Sequence, residues 1–150
     1  MSARARLAGF LALDGAQRRL LILALILLPL HALGLRWLGL RRVQESFPQW
    51  PHAIDGAPHC AAEIARLVGA AARHGLYHAT CLPTSLTVQR LLRSCGIESE
   101  LRLGVCKVDS ELQAHAWLEH DGAVLFDMRG ARERFAVLEP AMVTSTASPE

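Results

Sequence analysis

The hydrophobic period of the chain changes at Gly96, and that change restricts the fold more than any other feature. Before it, apolar residues recur at helical spacing, with Ile64, Leu67, Val68 and Ala71 in one segment and Leu86, Leu91 and Leu92 in the next. After it, Leu101, Leu103 and Val105 alternate with Arg102, Gly104 and Cys106, the period of a half-buried strand. Helices first and strands afterwards predict an α+β fold, with a helical layer against a small antiparallel sheet. With 150 residues and 51% hydrophobic content the chain has material for one ordinary core.

Element boundaries follow from local chemistry. Residues from about Ala3 to Leu13 and from Ala16 to Val43 read as helices, the first closing at Asp14-Gly15 and the second kinked at Pro29. Pro48, Pro51, Gly56 and Pro58 crowd into Phe47 to His59, which reads as a linker. A packed helix is predicted over Cys60 to Arg73, ended by His74-Gly75. The next starts with Thr80 as N-cap, tolerates Pro83 in its first turn and stops at Gly96. Ala114 to Glu119 and Ala123 to Asp127 are short strands around His120-Asp121-Gly122, and the small, polar tail from Val143 reads as disordered. The expected division is an N-terminal hydrophobic helical segment (1–46), a linker (47–59), a core (60–142) and a tail (143–150). No internal repeat is evident.

The run Leu20 to Leu28 raises the question of a membrane. The uncharged stretch ends at Leu35, short of the roughly 18 residues a span demands. Arg18 and Arg19 precede it and Arg36, Arg41 and Arg42 follow, so no inside-outside bias results. The long charged lead and the lack of a small-x-small cleavage site argue against a signal peptide. The segment reads as a buried or partner-facing helix, with peripheral contact at a membrane surface as the first alternative and a true span as the second.

Charge and cysteine usage exclude other classes. Sixteen Lys and Arg against fourteen Asp and Glu give a formal charge of +2, and the excess is arginine near the N-terminus, which gives no support for nucleic-acid binding. Cys60, Cys81, Cys95 and Cys106 form no C-x-x-C pair, which fits a reduced, cytoplasmic protein without a disulfide framework. His74, His78 and Cys81 would share a face only on one continuous helix, and Gly75 with a helix start near Thr80 opposes that. No metal and no cofactor is expected.

The order Cys81, His115, Asp127 is that of a thiol nucleophile, its base and the base's orienter. A thiol is mostly protonated at neutral pH, and a helix N-terminus with a nearby imidazolium favours the thiolate, which suits a cysteine in the first turn. Register sharpens the pairing. A two-residue turn at Asp121-Gly122 would put Asp127 opposite Ala116, on the wrong face. A three-residue loop with a bulge at Gly122 would put it directly opposite His115. Taken singly, Cys81 and His115 could be ordinary core residues; their joint placement with Asp127 carries the catalytic reading. Trp117 shares the face of His115 and reads as core or as the wall of a substrate cleft. Cys95 and Cys106 read as structural, Glu119 and His120 as solvated, and Cys60 stays open.

Cys81-Leu82-x-x-Ser85-Leu86, Leu91-Leu92-Arg93-x-x-Gly96-Ile97, Leu103-Gly104-Val105 and Ala114-His115-Ala116-Trp117 together resemble the transglutaminase-like leader peptidases of lasso-peptide biosynthesis. The resemblance runs from about Ala61 to Leu138. It implies a transglutaminase or papain-like core that cleaves a leader from a ribosomally made precursor peptide, with Cys81 as nucleophile, His115 as general base and acid, and Asp127 as orienter, Asp121 being the fallback. It also implies partners, namely a separate asparagine-synthetase-like cyclase and, because the first sixty residues leave no room for the winged-helix-like module of fused members, a separately encoded leader-recognition protein. The apolar N-terminal layer would be a docking surface for one of them. The other readings are a Cys-His-Asp acyltransferase of transglutaminase type and a non-catalytic interaction protein.

Overall fold

A computed structural model describes residues 10–46, 61–75, 79–126 and 134–138. The linker, the tail, Cys60, His78 and Asp127 of the sequence reading lie outside the described residues. Among the described residues three helices, α1 (Gly15–Ser46), α2 (Ala61–His74) and α3 (Cys81–Ser94), precede four strands, β1 (Glu100–Val108), β2 (Glu111–His120), β3 (Ala123–Phe126) and β4 (Ala136–Leu138). The strands form one antiparallel sheet in the order β3-β2-β1-β4, and the fold is α+β as the change of period required.

Helix α1 begins with a reciprocal cap. Asp14 Oδ1 accepts the Gln17 N–H at 2.7 Å and Gln17 Oε1 accepts the Asp14 N–H at 3.1 Å, so Asp14 starts this helix as well as ending the preceding turn. Backbone geometry inside α1 departs from helical at Gly39 (φ 78°, ψ 167°), so the break lies there and not at Pro29. Only glycine adopts that conformation without strain. The chain folds back across it, because Val43 Cγ2 lies 3.1 Å from where a Cβ on Gly34 would stand. Nine residues of unbroken helix would hold those positions about 13 Å apart.

The inner face of α1 (Leu20, Ala24, Leu27, Leu28) meets Ile64, Leu67, Val68 and Ala71 of α2, Val88, Leu91 and Leu92 of α3 and Leu118 of β2 in a single core. Helix α3 ends in a Schellman motif: Gly96 (φ 74°) donates to the Arg93 carbonyl at 3.0 Å and Ile97 to that of Leu92 at 3.0 Å. One buried polar contact ties α1 to α3. His31, 2% exposed, has Nδ1 2.8 Å from Thr87 Oγ1, and Thr87 gives its proton to the Pro83 carbonyl at 2.8 Å. His31 Nδ1 is therefore the donor in that contact.

The far face of the sheet is built around Trp117, which is fully buried and packs with Phe135 and Cys106. Its ring lies over Gly104, where a Cβ would stand 2.8 Å from two indole carbons and 3.0 Å from the Ala136 carbonyl oxygen. A glycine inside a strand marks such a close approach. Replacing Gly104 with Ala is expected to lower stability by about 1–3 kcal/mol through overpacking, read as a reduced urea midpoint at unchanged slope. A midpoint within error of wild type would mean that the indole moves aside freely.

Burial, with the Arg90 guanidinium as a second cause, lowers the His31 pKa from 6.5 to about 4. The folded state resists a proton that the unfolded chain accepts, so this contribution is whole above pH 6.5 and is lost as the pH falls towards 4. The displacement corresponds to about 3 kcal/mol. His31→Gln, which keeps a donor for Thr87 and does not titrate, is expected to lose less stability than wild type between pH 7 and 4.5. Parallel pH profiles of the two urea midpoints would refute this.

Candidate active site

The site is built from the start of α3 upward. Thr80 is extended (φ −76°, ψ 175°) and occupies the N-cap position, but its side chain makes no cap bond. Thr84 returns both its N–H (3.3 Å) and its hydroxyl (2.7 Å) to the Thr80 carbonyl. Pro83 has no N–H. The donors left at the helix start are therefore the backbone N–H groups of Cys81 and Leu82, at the end of the helix where negative charge is favoured. Cys81 is half-buried, with a free thiol.

Cys81, Ser85, Val88 and Leu92 lie along one helix face by their spacing. Ser85 is fully buried and its hydroxyl donates to the Ala116 carbonyl oxygen at 3.2 Å. Strand carbonyls lie in the plane of the sheet, aimed at the neighbouring strand. Helix α3 itself packs over β2 and β1 on the Leu118 face of the sheet, and the Ser85 hydroxyl reaches the Ala116 carbonyl from there. Cys81 stands one turn earlier, about 5–6 Å along the helix. The Ser85 bond therefore ties the first turns of α3 to β2 at the residue next to His115.

His115 is 3% exposed and lies on the sheet face opposite Leu118. Its ring is enclosed by Trp117, with centroids 6.3 Å apart, and Phe135, at 5.3 Å. Gly104 pairs directly with His115 across the β1–β2 ladder. Trp117 is anchored in turn, since its Nε1 donates to Glu119 Oε1 at 3.1 Å while Glu119 Oε2 accepts from Arg102 Nε at 3.1 Å. An aromatic clamp with a fixed back wall holds an imidazole in one orientation. Trp117, read as a possible substrate contact, is enclosed here and forms that back wall.

Several sequence expectations change. The β2–β3 hairpin turns on Asp121-Gly122 alone, with positive φ at both residues (50° and 74°) and His120 paired with Ala123. This is the two-residue class that Asp-Gly favours, not a three-residue loop bulged at Gly122. The extra residue comes later: Glu119 pairs with Val124 but Leu118 pairs with Phe126, so Leu125 is the bulge. The expected register set Leu118 against Val124, two residues away from the pairing observed. Asp121, the fallback orienter, is 90% exposed on its side chain and sits six residues from His115, about 20 Å along the strand. It faces solvent beside His120, so it does not orient His115. Glu119, expected to be solvated, is instead the shared acceptor of Trp117 and Arg102.

The helix that would align His74, His78 and Cys81 is interrupted, because α2 ends at His74 and α3 begins at Cys81. Among the described residues no three His, Cys, Asp or Glu side chains gather to hold a metal. Cys95 forms the C-cap of α3 and Cys106 packs beside Trp117 and Phe135. Ser85, Gly104 and Phe135 were given no site role from sequence. The first two were detectable: a polar residue four positions after Cys81 on an inward face, and a glycine inside a strand, each ask for a partner or a close approach.

A family model described as the transglutaminase-like superfamily matches residues 23–139, more than three quarters of the chain and all of the sheet. No curated protein and no solved structure matches the chain. Members of this superfamily are generally cysteine peptidases or acyltransferases, and the family match makes activity of that type the general expectation for this chain. By the extent of that match, the protein belongs to the transglutaminase-like superfamily.

Proposed function

We propose that this protein is a cysteine endopeptidase that removes the leader from a ribosomally made lasso precursor peptide, with Cys81, His115 and Asp127 as its catalytic residues. The observation that carries the reading is the buried bond from Ser85 to the Ala116 carbonyl, which sets the cysteine-bearing helix start beside the strand of His115. The quoted Cys-Leu and Ala-His-Ala-Trp blocks narrow the substrate class.

In this reading the Cys81 sulfur attacks the carbonyl carbon at the leader–core junction as its proton passes to His115. The N–H groups of Cys81 and Leu82 donate to the oxyanion. Collapse of the tetrahedral intermediate breaks the C–N bond, and His115 delivers its proton to the departing amine, the new N-terminus of the core. Water, deprotonated by His115, then hydrolyses the thioester to release the leader carboxylate and restore the thiol. Asp127 accepts from the second ring nitrogen and fixes the tautomer. The freed amine is the nucleophile that an asparagine-synthetase-like cyclase would join to an acidic side chain, and a separate recognition protein would hold the leader.

Incubation with a precursor peptide and its recognition protein, followed by mass, is expected to show leader and core as separate products. Cys81→Ala is expected to lower the rate by about a thousandfold or more while the protein stays folded. Failure of wild type to cleave with any combination of partners, or undiminished cleavage by the variant, would overturn the reading.

Ser85→Ala tests the positioning contact separately. It leaves the thiol in place but frees the helix start from β2, and is expected to lower kcat about tenfold or more with KM little changed. An unchanged kcat would mean that the Ser85 bond does not set the thiol's position.

A further inference from the structure

Helix α1 carries a second face that the core does not use. Opposite the buried Leu20, Ala24, Leu27, Leu28 and His31, the residues Ile22, Ile26, Leu30, Leu33 and Trp37 recur every three or four positions and are 44–76% exposed. Their spacing places them in one stripe of a single helical segment, since the break comes later, at Gly39. Trp37 is the most exposed of them at 76%. Exposed apolar surface of this extent on a folded chain marks an interaction site.

Charge decides among the occupants. Arg19 begins the stripe and Arg36 closes it beside Trp37, about 25 Å apart along the helix, and Arg41 and Arg42 follow the break; all four are exposed. Residues 1–46 hold seven arginines and two acids, whereas the remainder holds nine basic and twelve acidic residues. The excess positive charge of the sequence thus falls within its first 46 residues, where Arg19, Arg36, Arg41 and Arg42 flank the exposed apolar stripe. A stripe with guanidinium groups at both ends and a tryptophan at one is matched by a layer of lipid phosphates over acyl chains.

Orientation follows from packing. Residues 15–38 make about 36 Å of helix, enough to cross a bilayer. A crossing would require either pulling Leu20, Ala24, Leu27, Leu28 and His31 out of the core or carrying the exposed Arg66 and Arg73 of α2 into hydrocarbon. Lying flat costs neither. We infer that α1 docks the protein on the surface of a bilayer rich in anionic lipid, with Ile22, Ile26, Leu30, Leu33 and Trp37 inserted at the acyl boundary and Arg19, Arg36, Arg41 and Arg42 among the phosphates. The inference stands independently of the reaction catalysed.

Flotation of the full chain with vesicles tests this. The protein is expected to rise with vesicles of phosphatidylcholine containing about a third phosphatidylglycerol, to bind pure phosphatidylcholine at least tenfold more weakly, and to be released in part by 0.5 M salt. Ile26→Glu with Leu33→Glu alters only exposed positions and is expected to lower binding at least tenfold while circular dichroism stays unchanged. Binding to anionic vesicles should shift the tryptophan emission to the blue, and Trp37→Phe should remove that shift. Protein that stays in solution with every vesicle, or a double variant that floats as wild type does, overturns the inference. So does a stripe that light scattering shows to be covered by a second copy, with no vesicle uptake. Resistance to carbonate extraction would replace the flat orientation by a span.

Discussion

The architecture depends on how α3 satisfies the hydroxyls on its buried face. Thr84, Ser85 and Thr87 are fully buried and Ser94 nearly so, in a helix enclosed by α1, α2 and β2. A buried hydroxyl without a partner costs about 1–3 kcal/mol. Three of the four are satisfied within the helix, Thr84 at the Thr80 carbonyl, Thr87 at that of Pro83 and Ser94 at that of Leu91. Ser85 alone donates outside the helix, to Ala116 of the sheet, while the Thr87 oxygen also accepts from His31 of α1. The polar contacts of α3 are therefore unequal in meaning. Three make burial tolerable, while the fourth fixes where the helix lies against the sheet and with it the location of Cys81.

Elements that depend on local chemistry were legible in the sequence. The end of α3 at Gly96, its start at Thr80-Cys81, and strands β1 and β2 follow from capping residues and from periods of 3.6 or 2. Features that depend on a partner elsewhere in the chain were not. Strand β4, three residues long, exists because β1 offers an open edge to Ala136–Leu138, and three residues carry no period. The break at Gly39 rather than Pro29 has a similar origin. A proline costs an interior helix one hydrogen bond, whereas Gly39 gains the return of Val43 onto Gly34, a contact invisible until the fold is known.

The site divides along the same line. That Cys81 begins a helix and His115 lies in a strand could be read from single segments. The register beyond β2 could not, because two local preferences act in sequence: Asp121-Gly122 favours the tight turn, and Leu125 then adds a residue to β3. A bulge needs no distinctive residue when it answers packing, so nothing in Val124-Leu125-Phe126 announces it. The two displacements act in the same direction and move the pairing by an even number. The even shift preserves the face that Phe126 presents beyond the bulge, although it changes the partner directly opposite, whereas Ala123 and Val124 ahead of the bulge are shifted by one and change face. Glu119 escaped for a simpler reason. Its place beside a turn suggested solvent, but its parity with Trp117 put it on the face where an indole N–H and Arg102 both required an acceptor.

Helix α1 explains why hydropathy alone misleads for this chain. Its composition is apolar around most of the circumference, so its hydrophobic residues carry no directional signal, and a helix of that kind is ordinarily either fully enclosed or within a membrane. Here neither holds. One side supplies core residues and the His31–Thr87 contact to the cysteine-bearing helix, and the other presents Ile26, Leu33 and Trp37 to the surroundings. Removing the helix to improve solubility would therefore also remove core from behind α3. The same packing limits how the outer face can be used: whatever covers the stripe must approach a helix already fixed along its opposite side. A broad, shallow apolar layer meets that requirement, whereas a groove that wrapped the helix would have to displace α2 and α3.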